Sequence, residues 1–229
     1  MSATILGNIA SATSDRRDSE GNESTSMTTE SADSQYALLS VIASLGVQFN
    51  SCVYVSTPIS TGQRYLRWRE SAGQQIVPGT ADYDAARRTI KAANIAAARY
   101  LVGDVRRSCD MSVIDPTELA DITGWQQGDY HRYWIKVIER YVRKVVFADG
   151  WQYSEGCAKE FAAAVESSVA TVDREQSPIS LESGLGMVRE ARCRYYSAGI
   201  PSPVLNDVAE RLRSCLSDQI RVPVGAATH

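Results

Sequence analysis

Short apolar segments alternate with longer amphipathic segments over the middle of this chain. The apolar segments are residues 52–55, 113–114, 144–148 and 169–172. The segments between them show the apolar spacing of helices, at residues 83–101, 130–143 and 156–165. Parallel strands need a long crossover connection, which is usually a helix. The alternation therefore predicts an α/β fold with a parallel sheet and helices on both of its faces.

The two ends of the chain differ from this middle region. Residues 11–34 are rich in Ser, Thr, Asp and Glu and contain one large apolar residue, Met27. Such a segment buries too little surface to offset the entropy lost on ordering, so we expect residues 1–34 to form a disordered tail. We place an α/β core at residues 35–178. Two further helical segments, 181–197 and 203–216, predict a helical extension at residues 179–229.

Charge and composition exclude several classes of function. The chain has 24 Lys and Arg residues against 27 Asp and Glu residues, whereas a nucleic-acid binder usually carries a basic stripe. Its 5 scattered cysteines form no C-x-x-C pair, which is typical of thiols in a reducing cytoplasm. No apolar run approaches the ~20 residues that span a bilayer, and 2 histidines argue against histidine-rich metal chemistry. We expect a cytoplasmic protein without a cofactor, a metal, or a nucleic-acid or membrane partner.

Two polar loops follow predicted strands and are candidates for a ligand site. In an open parallel sheet, ligands bind at the carboxyl ends of the strands. The first loop, residues 56–62, consists mostly of small and hydroxyl residues. The second, residues 149–160, contains Ser154 as a helix N-cap and Gly156, where the backbone can approach a ligand closely. Glu160 follows about one turn into the next helix, whose dipole stabilises a carboxylate nucleophile by ~0.3–1 kcal/mol.

These residues also have structural interpretations, which stay open at this point. A glutamate near the start of a helix is often only a favourable charge. A tyrosine such as Tyr54 on a buried strand is often a core aromatic with a bonded hydroxyl. Trp151 and Tyr153 either stack a base or pack in the core.

The two loops carry motifs that resemble a known superfamily. Residues 53–62, Val-Tyr-Val-Ser-Thr-Pro-Ile-Ser-Thr-Gly, look like the first-strand signature of the nucleoside 2-deoxyribosyltransferase-like superfamily, in particular its DUF4406-like branch. The second motif of that branch is matched, in order, by Gly150-Trp151, Ser154, Gly156-Cys157, Glu160 and Ala164. The resemblance covers residues 52–172. It implies a Rossmann-like (flavodoxin-like) three-layer fold with a mostly parallel sheet and extra C-terminal helices.

The resemblance also implies cleavage of an N-glycosidic bond. Glu160 is then the nucleophile that attacks the anomeric carbon, and Tyr54 orients its carboxylate. Asp149, the nearest acid, either assists protonation of the leaving base or caps the turn. Ser154 and the amides around Gly156 bind a sugar hydroxyl or a 5′-phosphate at the helix N-terminus. The residues expected to bind the substrate are Ser56, Thr57, Pro58, Ser60, Gly62, Trp151, Ser154 and Gly156.

One departure from the superfamily narrows the expected substrate. Characterised transferases have a further acidic residue shortly before the nucleophile, where this chain has Ser154, and a small hydroxyl residue there suits a phosphate. We therefore expect cleavage of a nucleoside 5′-monophosphate rather than base exchange, in a homo-dimer or larger homo-oligomer. Two alternatives stay open: a module that binds a nucleotide without turning it over, and an NAD glycohydrolase.

Overall fold

A four-stranded parallel sheet forms the centre of the computed structural model, which describes residues 29–71 and 75–221. In spatial order the strands are β2 (Ser112–Ile114), β1 (Cys52–Ser56), β3 (Val142–Phe147) and β4 (Ala170–Val172). Tyr54 on β1 is in register with Ile114 on β2 and with Val145 on β3. This order, with helices on both faces, confirms the expected fold class: α/β, Rossmann-like (flavodoxin-like), with three layers.

Helices connect the strands and extend the chain beyond them. They are α1 (Thr29–Ser44), α2 (Gln63–Glu70), α3 (Ala81–Ser108), α4 (Gln127–Tyr141), α5 (Glu155–Glu166), α6 (Leu181–Ser197) and α7 (Pro203–Arg221). The periodicity of the sequence located α3 to α7, although α3 continues well past residue 101. It missed α2, whose eight residues include three arginines and a glutamate and show little apolar spacing. None of the helices in the described ranges is long and apolar enough to cross a membrane.

The sheet separates two hydrophobic cores. Successive strand residues point to opposite faces, so Val53 and Val55 of β1 pack with Val102 and Val105 of α3 on one face. On the other face, Tyr54 packs with the buried side chains of α4 and α5. The two faces of β1 therefore meet different surroundings, which is the feature that positions the site described below.

The last two helices belong to the main core and are not a separate extension. Leu205, Val208 and Leu212 of α7 are fully buried in the same cluster as the residues of α5. On α6, Gly184 lies so close to Phe161 that a Cβ atom there would come within 2.1 Å of the ring. The boundary expected at residue 179 therefore does not separate two cores. Local periodicity identified the helices but not the surface on which they pack.

Residues 29–34, which were expected to belong to a disordered tail, form the beginning of α1 (Thr29–Ser44). Gln35 is fully buried, receives a hydrogen bond of 3.1 Å from Lys136 Nζ and donates one of 3.4 Å to the Asp129 carbonyl. Ser34 accepts a 2.8 Å bond from the Trp125 indole. This polar segment is ordered by hydrogen bonds to α4 and the preceding loop, which a composition argument based on apolar burial cannot detect. The remaining part of the expected tail, residues 1–28, lies outside the described residues.

Two glycines of α6 provide a matched test of this packing. Gly184→Ala should destabilise the fold by about 1–3 kcal/mol, because the added methyl group overlaps the Phe161 ring. Gly186→Ala meets open space and should stabilise the protein by about 0.5–1 kcal/mol through helix propensity alone. Urea denaturation of both variants measures the difference. Equal effects in both variants would contradict the close contact between α6 and α5.

Candidate functional site

A buried carboxyl group lies where β1 meets α5. Glu160 is only 8% exposed, and both of its oxygens accept hydrogen bonds. The Tyr54 hydroxyl donates to Oε1 at 2.7 Å, and the Ser56 hydroxyl donates to Oε2 at 2.6 Å. Tyr54 and Ser56 are two residues apart on one strand, so their side chains leave the same face of the sheet. The first motif thus supplies two donors for the carboxyl group of the second.

This environment shifts the pKa of Glu160 to near neutral pH. Burial raises the pKa of the carboxyl to about 7, although the hydrogen bonds from Ser56 and Tyr54 favour the anion and oppose the shift. Burial also raises the pKa of Tyr54 well above its ordinary value, with the Glu160 charge adding to the effect. The pKa of the neighbouring Cys157 thiol rises to about 12 for the same two reasons. Near neutral pH, Glu160 is therefore the group of this cluster that gains or loses a proton.

Local sequence explains how α5 presents this carboxyl group. Gly150 adopts a left-handed conformation, with φ of 71°, and turns the chain after β3. Ser154 then caps α5, its hydroxyl accepting a bond from the Cys157 amide at 3.5 Å. Phe161, the next residue after Glu160, is fully buried in the core. The cap and this core contact fix the rotation of the helix and hence the direction of Glu160.

The first loop is held in place by a buried asparagine. Asn94 on α3 donates to the carbonyl oxygens of Ile59 at 2.9 Å and Thr61 at 3.1 Å. Gly62 has a φ of 102°, and a Cβ atom there would lie 2.7 Å from the Pro58 side chain, so only glycine fits this close approach. The Thr61 hydroxyl reaches the Ser154 hydroxyl at 3.4 Å. The two motifs, about a hundred residues apart in sequence, therefore meet in space.

Several of the expected binding residues lie beside this junction. Ser60 is half-buried and accepts a 3.5 Å bond from the Gln127 side chain of α4. Gly156 is half-buried, and a Cβ atom there would lie 3.1 Å from Nε2 of His131. Burial lowers the pKa of His131 to about 4, so its imidazole is neutral at pH 7. No local pattern predicts that His131 lies here, because α4 places it beside α5 only in the folded chain.

Two expected site residues do not fit their predicted roles. The Trp151 side chain is 2% exposed, with its ring centroid 4.9 Å from Phe147 and 4.6 Å from Phe161, so it packs in the core and has no face free to stack a base. The Asp149 side chain is 71% exposed and forms a 3.0 Å ion pair with Arg174. Nothing in its contacts links it to Glu160, so the structure does not support Asp149 as the acid that protonates a leaving base.

The remaining first-loop residues face the other side of the sheet. Thr57 and Pro58 line a groove of about 360 Å³ next to α3, together with Asp149. Glu160 is not among the residues that line it. The alternation of side chains at the end of β1 thus directs Ser56 to the carboxyl group and its neighbour Thr57 to the groove.

The fold and the site define an α/β protein with a buried carboxyl group at the carboxyl edge of its sheet. Comparisons with protein-family models, curated proteins and solved structures gave no match. Within residues 29–71 and 75–221, no group of three or more His, Cys, Asp or Glu side chains is arranged to hold a metal ion. The reactive group of this site is the Glu160 carboxyl, with the hydroxyls of Tyr54 and Ser56 as its two donors.

The raised pKa of Glu160 predicts that Glu160→Gln stabilises the folded protein, and that this effect grows with pH. The carboxyl is protonated in both the folded and the unfolded protein below pH 4.5, and its contribution to stability is lost as the pH rises through about 7, its pKa in the folded protein. The neutral amide of Gln does not ionise and avoids this loss. Between pH 4 and pH 8, the free energy of unfolding of the variant should therefore rise by up to about 3 kcal/mol relative to that of the wild type. Urea denaturation across this range tests it, with the exposed Glu182→Gln as the control, and a difference that shrinks with pH would contradict it.

The two hydroxyl donors should each lower the pKa of Glu160. Tyr54→Phe removes the donor to Oε1 while keeping the ring, so the pKa should rise by about one unit, since a hydrogen bond to a charged group contributes roughly 1.5 kcal/mol. Ser56→Ala should act in the same direction through Oε2. Carbon-13 NMR titration of the labelled carboxyl measures both values. A lower pKa in either variant would show that the hydroxyl does not stabilise the anion.

Proposed function

We propose that this protein cleaves the N-glycosidic bond of a nucleoside 5′-monophosphate, with Glu160 as the nucleophile. The observation that carries the proposal is the buried Glu160 carboxyl, held by the hydroxyls of Tyr54 and Ser56 at the carboxyl edge of the sheet. Ligands of open α/β sheets bind at this edge. A carboxyl with a pKa near 7 in such a position is a candidate for catalysis, because structural carboxyls are seldom kept buried without a cationic partner.

The geometry allows the carboxylate to attack a sugar while staying oriented. Each Glu160 oxygen accepts one hydrogen bond and keeps a second lone pair, which forms the bond to C1′ of the sugar. The bond from C1′ to the base nitrogen breaks, and its electron pair leaves with the base, which takes a proton from solvent. Water then hydrolyses the glycosyl ester, releasing the sugar phosphate and restoring the carboxyl. If a second base attacks instead of water, the result is base exchange.

The substrate class is supported by the start of α5. The N-terminus of a helix attracts anions through its free amides and its dipole. Ser154 stands at this position, where characterised transferases of the superfamily carry an acid, and Gly156 is half-buried. The acid of the first turn, Glu155, accepts a hydrogen bond from Ser202. The resemblance to the nucleoside 2-deoxyribosyltransferase-like superfamily supports a nucleotide as the substrate. We further propose a homo-oligomer in which neighbouring subunits complete each other's sites, and action in the cytoplasm.

A second function is favoured by one observation. Glu160 is only 8% exposed, and its two oxygens are already bonded within the fold, as expected for a carboxyl that organises a binding site without reacting. A module that binds a nucleotide and leaves it intact would use the same loops. Turnover separates the two candidates.

Release of free base tests the proposed activity. The wild-type protein is incubated with ribo- and deoxyribonucleoside 5′-monophosphates and with NAD, and free base is measured by chromatography. We expect base from at least one monophosphate, at a rate that rises with pH through about 7 as Glu160 ionises. Glu160→Gln should reduce the rate by roughly a thousandfold or more, because it removes the nucleophile. Glu166→Gln, on the same helix and paired with Arg211 at the surface, should keep the activity.

The other outcomes each favour a different function. Thermal stabilisation by a nucleotide that stays intact would replace the proposed activity by nucleotide sensing. Release of nicotinamide from NAD alone would indicate an NAD glycohydrolase. Base release that survives in Glu160→Gln would show that this carboxyl is not the nucleophile.

A further inference from the structure

The groove beside Thr57 lies at the point of the sheet where ligands of this fold class bind. The chain runs from β1 to β2 on one side of β1 and later to β3 on the other side, so the strand order reverses between β1 and β3. Thr57 and Pro58 follow β1, and Ala148 and Asp149 follow β3, and all four line the groove. The groove therefore occupies the crevice outside the carboxyl ends of the two strands at this reversal. Its volume of about 360 Å³ suits a small ligand.

The groove contains guanidinium groups that no carboxylate neutralises. Arg64 and Arg67, from α2, both line it. Arg64 bonds to the side-chain oxygen of Asn94, a neutral amide, at 2.9 Å. Neither arginine forms an ion pair with an acidic side chain of the described residues. Two such groups on one wall favour an anion, and a guanidinium binds phosphate oxygens through two parallel hydrogen bonds.

The other charged residues of the groove are already paired. Arg174 forms ion pairs with Asp149 at 3.0 Å and with Glu175 at 3.3 Å. Asp104, the second acid of the lining, pairs with Arg107, which lies outside the groove. The acids of the groove are thus compensated, and the charge left over is that of Arg64 and Arg67.

Two further donors border the same space. The Thr57 hydroxyl is buried, and no hydrogen-bond partner for it occurs among the residues that the structure describes, although the residue is 8% exposed and lines the groove. A buried polar atom without a partner is costly and rare. The first turn of α2, which contributes Gln63 and Arg64 to the lining, has Gly62 as its N-cap and no side chain that caps its amides. Both features match a ligand that accepts hydrogen bonds.

The wall formed by α3 is largely apolar. Besides Asn94, which bonds to Arg64, and Asp104, it consists of Ala97, Ala98 and Leu101, next to Tyr100, which is 80% exposed. A free inorganic anion gains nothing from this wall, whereas a planar ring covers it. We propose that the groove binds a phosphate monoester attached to a planar ring system, as in a nucleoside monophosphate, independently of the Glu160 carboxyl and of the reaction proposed for it.

Binding of adenosine 5′-monophosphate to the Glu160→Gln protein tests this proposal without turnover. Calorimetry should show binding of the nucleotide and at least tenfold weaker binding of adenosine, because the phosphate contacts are lost. Arg67→Ala should weaken nucleotide binding about tenfold, whereas Arg99→Ala, which removes an exposed arginine of α3 outside the groove, should leave it unchanged. Ala97→Trp fills the groove and should abolish binding. Both arginines are exposed, so their variants keep the fold, which circular dichroism verifies.

The results separate the groove from the site at Glu160. Nucleotide binding that is insensitive to both Arg67→Ala and Ala97→Trp would place the ligand elsewhere and overturn the proposal, even if the wild-type protein releases base. Equal affinity for adenosine and its monophosphate, or no binding of either, would also overturn it. Conversely, nucleotide binding that weakens in Arg67→Ala and disappears in Ala97→Trp, in a protein that releases no base, would support the proposed groove ligand and reject the proposed catalysis.

Discussion

The hydrogen-bonded carboxyl of Glu160 is the interaction on which the arrangement of both loops depends. A carboxyl group taken out of water is costly unless donors replace the lost solvent. Tyr54 and Ser56 supply those donors from the end of β1, and the Ser154 cap sets the rotation of α5 that brings Glu160 to them. A shift of either element by one residue would leave the carboxyl unsatisfied. This requirement ties the first strand to a helix that begins about a hundred residues later.

The end of β1 contributes to the two candidate sites, the Glu160 carboxyl on one face of the sheet and the groove beside α3 on the other. Ser56 points toward α5 and Glu160, while Thr57, the next residue, lines the groove beside α3. Asn94 holds the loop between them by bonding to the carbonyls of Ile59 and Thr61. A ligand in the groove and a substrate at Glu160 would therefore contact one short segment of backbone. The face with Glu160 presents an acid without a cationic partner, and the groove presents two arginines, Arg64 and Arg67, that no acid of the described residues neutralises.

Elements that depend on local spacing were predicted from the sequence. Among the long-range contacts described above, only that between Tyr54 and Glu160 was expected, and only through the superfamily resemblance. The strands at residues 52–55 and 144–148 and the helix at 181–197 follow from apolar periodicity alone, and Ser154 was recognised as a cap from its neighbours. The early start of α1 depends on hydrogen bonds with α4, and the burial of Trp151 depends on aromatic residues of β3 and α5. The motifs in the sequence predict Trp151 and Asp149 as site residues, but they do not predict the direction in which either side chain points.

The sequence by itself determined the order along the chain of the strands and of the helices other than α2, the polar loops after β1 and β3, and the residues that form them. It did so because side-chain period and capping chemistry act within a few residues of the chain. Only the tertiary structure decided that Ser56 bonds to the second oxygen of Glu160, that Thr57 and Asp149 line a groove to which Glu160 does not contribute, and that α6 and α7 complete the main core. Those outcomes depend on which faces meet, and burial against distant residues sets them.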